Sequence, residues 1–326
     1  MTAEVTYRQA ITEALAAELE ADEDVILIGE DIAAAGGVFK VTEGLQERFG
    51  DRRVRDTPIS EQAIVGTALG AAVTGLRPVA EVMFADFAGV CFDQIANQLP
   101  KYRYMTGGQV SVPVTLRLVN GASTGFGAQH SQAVENWFLG LPGLKVCVPG
   151  TAADAYGLLR SAIRDDNPVL FFEHKALYLR RGPLDLGREV PLGVAEVVRE
   201  GTDATVVATQ LMRERALEAA EQLAGDGIEL EVIDPRTLAP LDTETIAHSV
   251  EKTGNLLVVE EGSGSGGWGS TLLAHLAEEA FEMFDSPPRL LSTDETPTPF
   301  AAELEAAWLP DAEAIVGAVR GLEVVA

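Results

Sequence analysis

The sequence predicts an α/β protein of two domains, each built on a largely parallel sheet. Short, continuously apolar runs alternate with segments of helical periodicity along nearly the whole chain. Runs that are apolar on both faces are typical of parallel strands covered by helices. The chain has 326 residues, more than one hydrophobic core usually holds, and a stretch rich in Gly and Pro interrupts the pattern.

The first domain is predicted to alternate strands with helices. The predicted strands are 25–29, 78–82, 112–119, 144–148 and 168–173, and the predicted helices are 6–20, 61–75, 90–102 and 151–164. Parallel strands need crossover connections, which are right-handed and place helices on both faces of the sheet.

The stretch 179–193 is predicted to be a linker because it contains Gly182, Pro183, Gly187, Pro191 and Gly193 with charges between them. The predicted domains are therefore 1–185 and 193–326. In the second domain we expect strands at 204–209, 228–234, 255–261 and 288–293, and helices at 211–224, 242–252, 268–283 and 311–321.

The composition limits the classes of function. The net charge is −26, with 50 acidic and 24 basic residues, so the chain repels nucleic acid and anionic membranes. Few of the basic residues are Lys, which favours a salt-rich cytoplasm, although a GC-rich genome has the same effect. The acidic amphipathic N-terminus does not resemble an export signal, and we expect a cytoplasmic protein.

The residues just after the first-domain strands are candidates for a site, because parallel sheets bind ligands beyond their carboxyl ends. These are 29–31, 83–87, 120–123 and 173–175. We expect neither a serine nucleophile elbow nor a side-chain metal motif. The sequence therefore suggests a site that a cofactor or a second chain completes.

Glu61 and His130 are the strongest candidates for chemistry. Ser60 is a plausible N-cap, so Glu61 falls in the first turn of a helix with many Ala and Gly residues. A first-turn acid that merely stabilises the helix fits equally well. His130 lies in a glycine-rich loop, where it is either a general acid–base group or a surface residue.

Four segments resemble one family. These are 26–33, 56–87, 127–174 and 232–246, including the sequences Ile-Ser-Glu at 59–61 and His-Ser-Gln at 130–132. In this order they resemble the β subunits of thiamine-diphosphate-dependent 2-oxoacid dehydrogenases, which act on pyruvate, branched-chain 2-oxoacids or acetoin. The resemblance covers nearly the whole chain. It implies a transketolase-like pyrimidine-binding domain followed by a transketolase C-terminal-type domain.

The resemblance also implies roles for individual residues. Glu61 would hydrogen-bond a ring nitrogen of the aminopyrimidine and so promote deprotonation of the thiazolium carbon. Phe87 would stack on the pyrimidine, and Ile59 and Met83 would line the pocket. His130 would assist the substrate or acyl transfer to lipoamide. A structural potassium ion would be held mostly by backbone oxygens, at Val114, Ala162, Ile163, Asp165 and Asn167, although a capped helix end before Pro168 explains part of that sequence equally well.

The resemblance implies an α2β2 enzyme whose α subunit holds magnesium and the diphosphate. In the family that half of the site uses a Gly-Asp-Gly motif with an Asn some thirty residues later, and we expect it to be absent from this chain. The partners would be the α subunit and a lipoyl acyltransferase component. The loop 120–132 favours a pyruvate or acetoin enzyme. The alternatives are the C-terminal half of a split transketolase and a non-catalytic scaffolding paralogue.

Overall fold

The computed structural model describes residues 3–279 and 281–322, which divide into two compact units. The first unit comprises the described residues up to Asn120 together with Trp137–Leu192. The second comprises Gly121–Asn136 and the described residues from Gly193 onward. The fold class predicted from the sequence is confirmed.

The first unit contains the following strands and helices. They are β1 (Ala3–Thr6), α1 (Tyr7–Ala21), β2 (Val25–Gly29), α2 (Leu45–Phe49), β3 (Val54–Asp56), α3 (Glu61–Val73), β4 (Arg77–Val82), α4 (Leu99–Met105), β5 (Thr115–Asn120), β6 (Lys145–Cys147), α5 (Ala152–Arg164), β7 (Val169–His174) and β8 (Arg181–Leu184). Short 3₁₀-helices lie at Ala85–Gly89 and Lys175–Leu177, and a π-helical turn lies at Gln94–Gln98.

The sheet of the first unit is parallel, with neighbouring strands in the order β6-β7-β5-β4-β2-β3. Its strands are buried along almost their whole length, as their continuous apolar sequences require. Helices α1 and α5 pack with it through a core that includes Ile11, Leu15, Leu159 and Phe171. The carboxyl ends of β2, β4, β5 and β7 consequently meet at one edge of the sheet.

The second unit contains β9 (Glu196–Arg199), β10 (Ala204–Ala208), α6 (Gln210–Ala224), β11 (Leu230–Asp234), β12 (Thr237–Ala239), α7 (Thr243–Thr253), β13 (Leu256–Ser263), α8 (Trp268–Glu279), β14 (Arg289–Thr293), α9 (Ala302–Trp308) and α10 (Ala312–Arg320). Its main sheet has the order β14-β13-β10-β11-β9. Only β9 runs antiparallel to its neighbour among these five described strands.

The predicted linker at 179–193 is wrong in its first part. Residues Arg181–Leu184 form β8, which pairs antiparallel with β1. Gly182 and Pro183 misled the prediction, because a two-stranded ribbon tolerates such residues where a central strand does not.

Residues 121–136 are grouped with the second unit, although the sequence prediction placed them inside domain 1–185. Backbone N–H groups of this segment bond carboxylates far along the chain: Ala122 donates to Glu261, and Gly125 donates to Glu305 at 3.1 Å. Because these bonds span 139 and 180 positions, local sequence patterns do not reveal them.

Both cysteines, Cys91 and Cys147, are free and buried. No helix among residues 3–279 and 281–322 combines the length and apolar character needed to cross a bilayer.

Glu260 gives the second unit a predicted dependence on pH. Its carboxyl is fully buried, and burial, together with the Glu135 carboxylate, raises its pKa to about 8. The pKa of a glutamate is about 4.3 in an unfolded chain. The contribution of Glu260 to the free energy of unfolding is therefore greatest below that pH and falls as the pH rises towards 8. Glu260→Gln removes this loss, so we expect its unfolding temperature to exceed that of the wild type by roughly 3–6 °C above pH 8.

Thermal unfolding followed by circular dichroism from pH 5 to pH 9 measures this difference. The control is Glu278→Gln, an exposed acid of α8, for which we expect no pH-dependent gain. A gain for Glu260→Gln that is the same at every pH would contradict the prediction.

Candidate active site

Glu61 is the first residue of α3 and is half-buried. The helix begins when Ile64 donates its N–H to the carbonyl of Ser60 at 2.9 Å. Ser60 occupies the N-cap position, as expected, but its side chain makes no capping hydrogen bond. The Glu61 carboxyl therefore lies at the positive end of the helix dipole, which stabilises a negative charge.

Glu30 accompanies Glu61 at this edge of the sheet. It follows β2, and the carbonyl of Gly29 accepts the N–H of Thr57 at 2.9 Å, so the chain segments that lead to Glu30 and Glu61 are fastened together. Burial raises the pKa of Glu30, and the negative charges of Asp31 and Glu61 raise it further. A negative charge near a carboxyl group favours the protonated form of that group, here Glu30.

From the sequence alone, Glu30 is only a residue that follows a strand, with no predicted role. The available signal was the parallel arrangement itself, since β2 and β3 are neighbours and both lead to this edge. The proximity of Glu30 to Glu61, thirty-one positions later, could be inferred only once the register of β2 and β3 was known.

Cys91 also senses Glu61. Burial, with a further contribution from the Glu61 charge, raises the pKa of the Cys91 thiol to about 12. The sulfur therefore remains a thiol near neutral pH and is not a nucleophile. Glu30 and Cys91 are thus two groups near enough to Glu61 to respond to its charge.

The predicted pocket residues belong to the same unit as Glu61. Phe87 is half-buried, and its ring meets Phe84 edge-on, with centroids 6.1 Å apart and planes at 89°. Met83 is half-buried, whereas Ile59 exposes 75% of its surface. These side chains offer apolar surface that the described chain does not cover, which suits a flat ring.

One face of α3 is open. Ala63, Thr67 and Gly70 are exposed, and a Cβ placed at Gly70 would meet nothing within 4 Å among the described residues. Packing within this chain therefore does not require a small residue at Gly70. Small side chains on an exposed helix allow another backbone to approach closely.

His130 belongs to the second unit, whereas Glu61, Ile59, Met83 and Phe87 belong to the first. It is half-buried and ends a turn in which its N–H bonds the carbonyl of Gly127 at 3.2 Å. Gly127 has a φ of +72° and packs against the ring of Phe300. The backbone of the loop is thus fixed at several points around His130.

The same loop contains the sequence Gly-Ala-Ser-Thr-Gly at 121–125, the spacing of a serine nucleophile elbow. Ser123 has a φ of +70°, as a sharp turn requires. A nucleophile elbow leads directly into a helix, but here bends and turns follow, and the next helical segment begins at Glu135. The geometry does not match that of a hydrolase elbow.

The Gly-Asp-Gly tripeptide expected only in an α subunit occurs at 225–227, and Asn255 follows it. The expectation that this chain lacks the Gly-Asp-Gly sequence is therefore wrong. The structure places it in the turn after α6, where Asp226 pairs with Arg320 at 2.5 Å. Asn255 donates to the carbonyls of Asp203 and Thr253 at 3.0 and 3.1 Å. Both side chains are occupied with the fold of the second unit and are not arranged to hold a metal.

The predicted potassium positions lie around the end of α5. Arg77 donates to the carbonyls of Ile163 and Asp165 at 2.8 and 3.0 Å. Burial raises the pKa of Asp165, but hydrogen bonds from Lys145 and Asn167 outweigh it and lower that pKa. Each carbonyl oxygen keeps a second lone pair, so the backbone oxygens fit a hard cation. No group of three or more His, Cys, Asp or Glu side chains among the described residues could hold a metal.

Comparison with known proteins identifies the family. Residues 3–180 match the pyrimidine binding domain of transketolase, and residues 193–315 match the transketolase C-terminal domain. The chain is 46% identical over 331 residues to the β subunit of acetoin:2,6-dichlorophenolindophenol oxidoreductase of Cupriavidus necator, with 98% of each chain covered. The chain belongs to the family of 2-oxoacid and acetoin dehydrogenase β subunits. Membership implies that thiamine diphosphate takes part.

Other members of this β-subunit family are similar over their full length. The Bacillus subtilis β subunit of the same acetoin oxidoreductase is 45% identical, with 96% of this chain and 95% of that one covered. The pyruvate dehydrogenase E1 β subunit of Rickettsia conorii is 43% identical, with coverages of 97% and 98%. A solved split-gene transketolase, described as an inactive β4 tetramer, is 25% identical with a TM-score of 0.81 and covers 98% of both chains.

The electrostatic interaction between Glu30 and Glu61 predicts a measurable shift. Glu61→Gln removes a negative neighbour, so we expect the pKa of Glu30 to fall. Nuclear magnetic resonance of chains labelled with ¹³C at the glutamate carboxyls measures the titration, and loss of the signal in Glu30→Gln assigns it.

Glu244→Gln is the matched control, because Glu244 also lies in the first turn of a helix, in α7. We expect it to leave the Glu30 titration unchanged. An unchanged Glu30 titration in Glu61→Gln would show that the two carboxyls are not neighbours.

Proposed function

We propose that this chain is the β half of an α2β2 2-oxoacid dehydrogenase. With thiamine diphosphate the enzyme would decarboxylate a 2-oxoacid oxidatively and pass the acyl group to the lipoyl group of an acyltransferase component. The observation that supports this best is the position of Glu61. It is the half-buried first residue of α3, and its charge acts on Glu30. It lies in the unit that matches the pyrimidine binding domain.

Glu61 is the proposed activating residue. When bound, thiamine diphosphate supplies a carbon nucleophile for the substrate carbonyl. Glu61 holds a proton at a ring nitrogen of the aminopyrimidine, as a carboxyl group within hydrogen-bond reach of that nitrogen can. Phe87, Met83 and Ile59 supply the apolar wall that keeps water from this contact, and Phe87 provides the stacking surface.

His130 is the proposed second catalytic residue. An imidazole donates or accepts a proton near neutral pH, which suits a substrate oxygen or the transfer to the lipoyl group. The turn at 127–130 and the bonds of the loop to Glu261 and Glu305 hold it in place.

The proposed partner is an α subunit that supplies magnesium and the diphosphate site. Support comes from the open face of α3 and from large apolar side chains of the first unit that remain exposed, namely Ile59 at 75%, Tyr104 at 88% and Met105 at 61%. Exposed apolar surface of this kind is typical of a protein interface. Asp226, in contrast, is paired with Arg320 and is not available for magnesium.

Two substrates remain candidates. The pyruvate dehydrogenase E1 β subunit from Rickettsia supports pyruvate, whereas the two acetoin oxidoreductase β subunits, at 46% and 45% identity, support acetoin. The half of the substrate pocket contributed by the α subunit decides between them. Comparison of pyruvate, branched-chain 2-oxoacids and acetoin as substrates for one purified complex therefore identifies the enzyme.

Glu61→Gln tests the mechanism. We expect the complex of this variant with its α subunit to reduce 2,6-dichlorophenolindophenol about 10²–10⁴-fold more slowly than the wild type, because the amide cannot exchange a proton with the pyrimidine. The assay contains thiamine diphosphate and magnesium. Glu244→Gln, again a first-turn acid, is expected to retain wild-type activity.

Four results would contradict the proposal. One is undiminished activity of Glu61→Gln, and another is full activity of this chain without an α subunit. The third is transfer between sugar phosphates with no reaction of 2-oxoacids or acetoin, which would favour a split transketolase. A wild-type complex inactive on every substrate would favour a scaffolding role.

We also propose that a potassium ion binds the backbone oxygens of Val114, Ala162, Ile163, Asp165 and Asn167. A ligand at one hundred times its Kd stabilises the folded state by about 2.7 kcal/mol, which for a protein of this size raises the unfolding temperature by several degrees. We expect this rise in potassium chloride relative to choline chloride at equal ionic strength. Equal unfolding temperatures in the two salts would overturn the proposal.

A further inference from the structure

Phe84 and Phe87 are joined by one turn of 3₁₀-helix. Phe84 is the N-cap residue of the segment Ala85–Gly89, and its carbonyl accepts the N–H of Phe87 at 3.0 Å. Residues three apart in a 3₁₀-helix lie above one another, because each turn contains three residues. The spacing Phe-Ala-Asp-Phe therefore brings the two rings together, with centroids 6.1 Å apart and planes at 89°.

The edge-on geometry leaves Phe87 open to a flat ligand. Two rings at right angles touch through the edge of one and the face of the other. Whichever ring supplies the edge, Phe84 covers at most one face of Phe87. Phe84 is only 7% exposed, whereas Phe87 is half-buried. Phe84 is thus the enclosed member of the pair, and Phe87 is the member with surface left for stacking.

Further groups hold Phe84 in place. The ring of Phe39 meets it edge-on, with centroids 5.8 Å apart and planes at 82°. Lys175 is buried just after β7, and its ammonium lies over the Phe84 ring, 5.9 Å from the centroid. A cation within about 6 Å of an aromatic face is attracted to its π electrons. The orientation of the Phe84 ring is therefore set by contacts other than the one with Phe87.

These aromatic contacts continue into the interior of the first unit. Phe39 packs on Tyr178, with ring centroids 5.2 Å apart. The Tyr178 hydroxyl donates to the fully buried Glu173 at 2.8 Å. We call Tyr178, Phe39, Phe84 and Phe87 the aromatic row. A hydrogen bond fixes its inner end, and its outer end is the ring of Phe87.

We propose that Phe84 is a positioning residue, which holds the ring of Phe87 in the orientation on which the aminopyrimidine stacks. The inference rests on the proposed role of Phe87. A side chain that is already ordered loses little conformational freedom when a ligand binds, so its ordering does not weaken the complex. Phe84 thus acts on the cofactor through Phe87 and need not touch it.

The mobility of the Phe87 ring tests the positioning on the full chain without a cofactor. Carbon-13 relaxation of ring-labelled phenylalanines gives the order parameter of each ring, and the Phe87 signal is assigned by its loss in Phe87→Leu. We expect this order parameter to fall in Phe84→Leu, which keeps an apolar side chain but removes the ring. We expect it to stay near the wild-type value in Phe84→Tyr, which keeps the ring.

The complex with the α subunit tests the consequence for the cofactor. In Phe84→Leu we expect the KM for thiamine diphosphate to rise about 3–10-fold, the effect of one aromatic pair, with a smaller change in kcat. A merely structural role would reduce the amount of active complex and hence the apparent kcat, without moving KM. The control is Phe49→Leu, a half-buried phenylalanine of α2 that packs with Arg48, for which we expect no change in KM.

Two results for Phe84→Leu would overturn the inference. One is an unchanged order parameter of the Phe87 ring, and the other is a mobile ring with an unchanged KM. Equal mobility in Phe84→Tyr and Phe84→Leu would also overturn it, because tyrosine retains the ring. If Phe84→Leu does not fold, Phe39→Leu replaces it, and we expect a smaller change of the same kind.

Failure of the proposed function is distinguishable from failure of this inference. A wild-type complex without thiamine-diphosphate-dependent activity contradicts the function, and an unchanged KM in Phe87→Leu contradicts the proposed role of Phe87. An active wild type, with a raised KM in Phe87→Leu but neither change in Phe84→Leu, contradicts the inference alone.

Discussion

Arg117 is a charged residue buried in the interior of the first unit. The packing of the central strands there depends on the carboxylates that pair with it. Removing a charged group from water costs several kcal/mol, which close partners must offset. Glu81 and Glu173 are these partners, and they come from the strands on either side of β5. A slip of one residue in either neighbour would leave charges buried without partners. The ion pairs of Arg117 with Glu81 and Glu173 therefore favour one register of β4, β5 and β7.

The register in turn determines what lies at the carboxyl edge of the sheet. Because β2, β3 and β4 are aligned with one another, Glu30 and the segment that leads to Glu61 leave the sheet at the same edge, and Met83 and Phe87 follow the adjacent strand. The same edge has exposed apolar side chains and a helix with an open face. The proposed chemistry and the proposed interface with a partner thus depend on one structural arrangement.

Long, buried elements were predictable from the sequence because their patterns are local. The strands 25–29 and 204–208, for example, are short continuous apolar runs, and helix α5 has a clear apolar face. Short elements such as β3 and α9 were missed because three to seven residues contain too little periodicity.

The candidate site was predictable only in part. Glu61 at a helix start was visible locally, but its pairing with Glu30 depends on two parallel strands. The membership of His130 in the second unit depends on hydrogen bonds to residues more than one hundred positions later. A sequence motif can also mislead. The Gly-Asp-Gly sequence at 225–227 matches the diphosphate motif of the α subunits, but here it forms a turn at the end of a helix, and its Asp makes an ion pair.

The long reach of the loop at 121–136 has a consequence for synthesis on the ribosome. Its backbone N–H groups cannot form these hydrogen bonds until Glu261 and Glu305 are translated, 139 and 180 residues after the groups they bind. At about 5–20 residues per second, this delay amounts to roughly 7–36 s. Throughout that interval the nascent loop that contains His130 lacks its anchors, while the strands on both sides of it are already present. Slow maturation of this loop, and its exposure to proteases and chaperones, follow from the order in which the chain emerges.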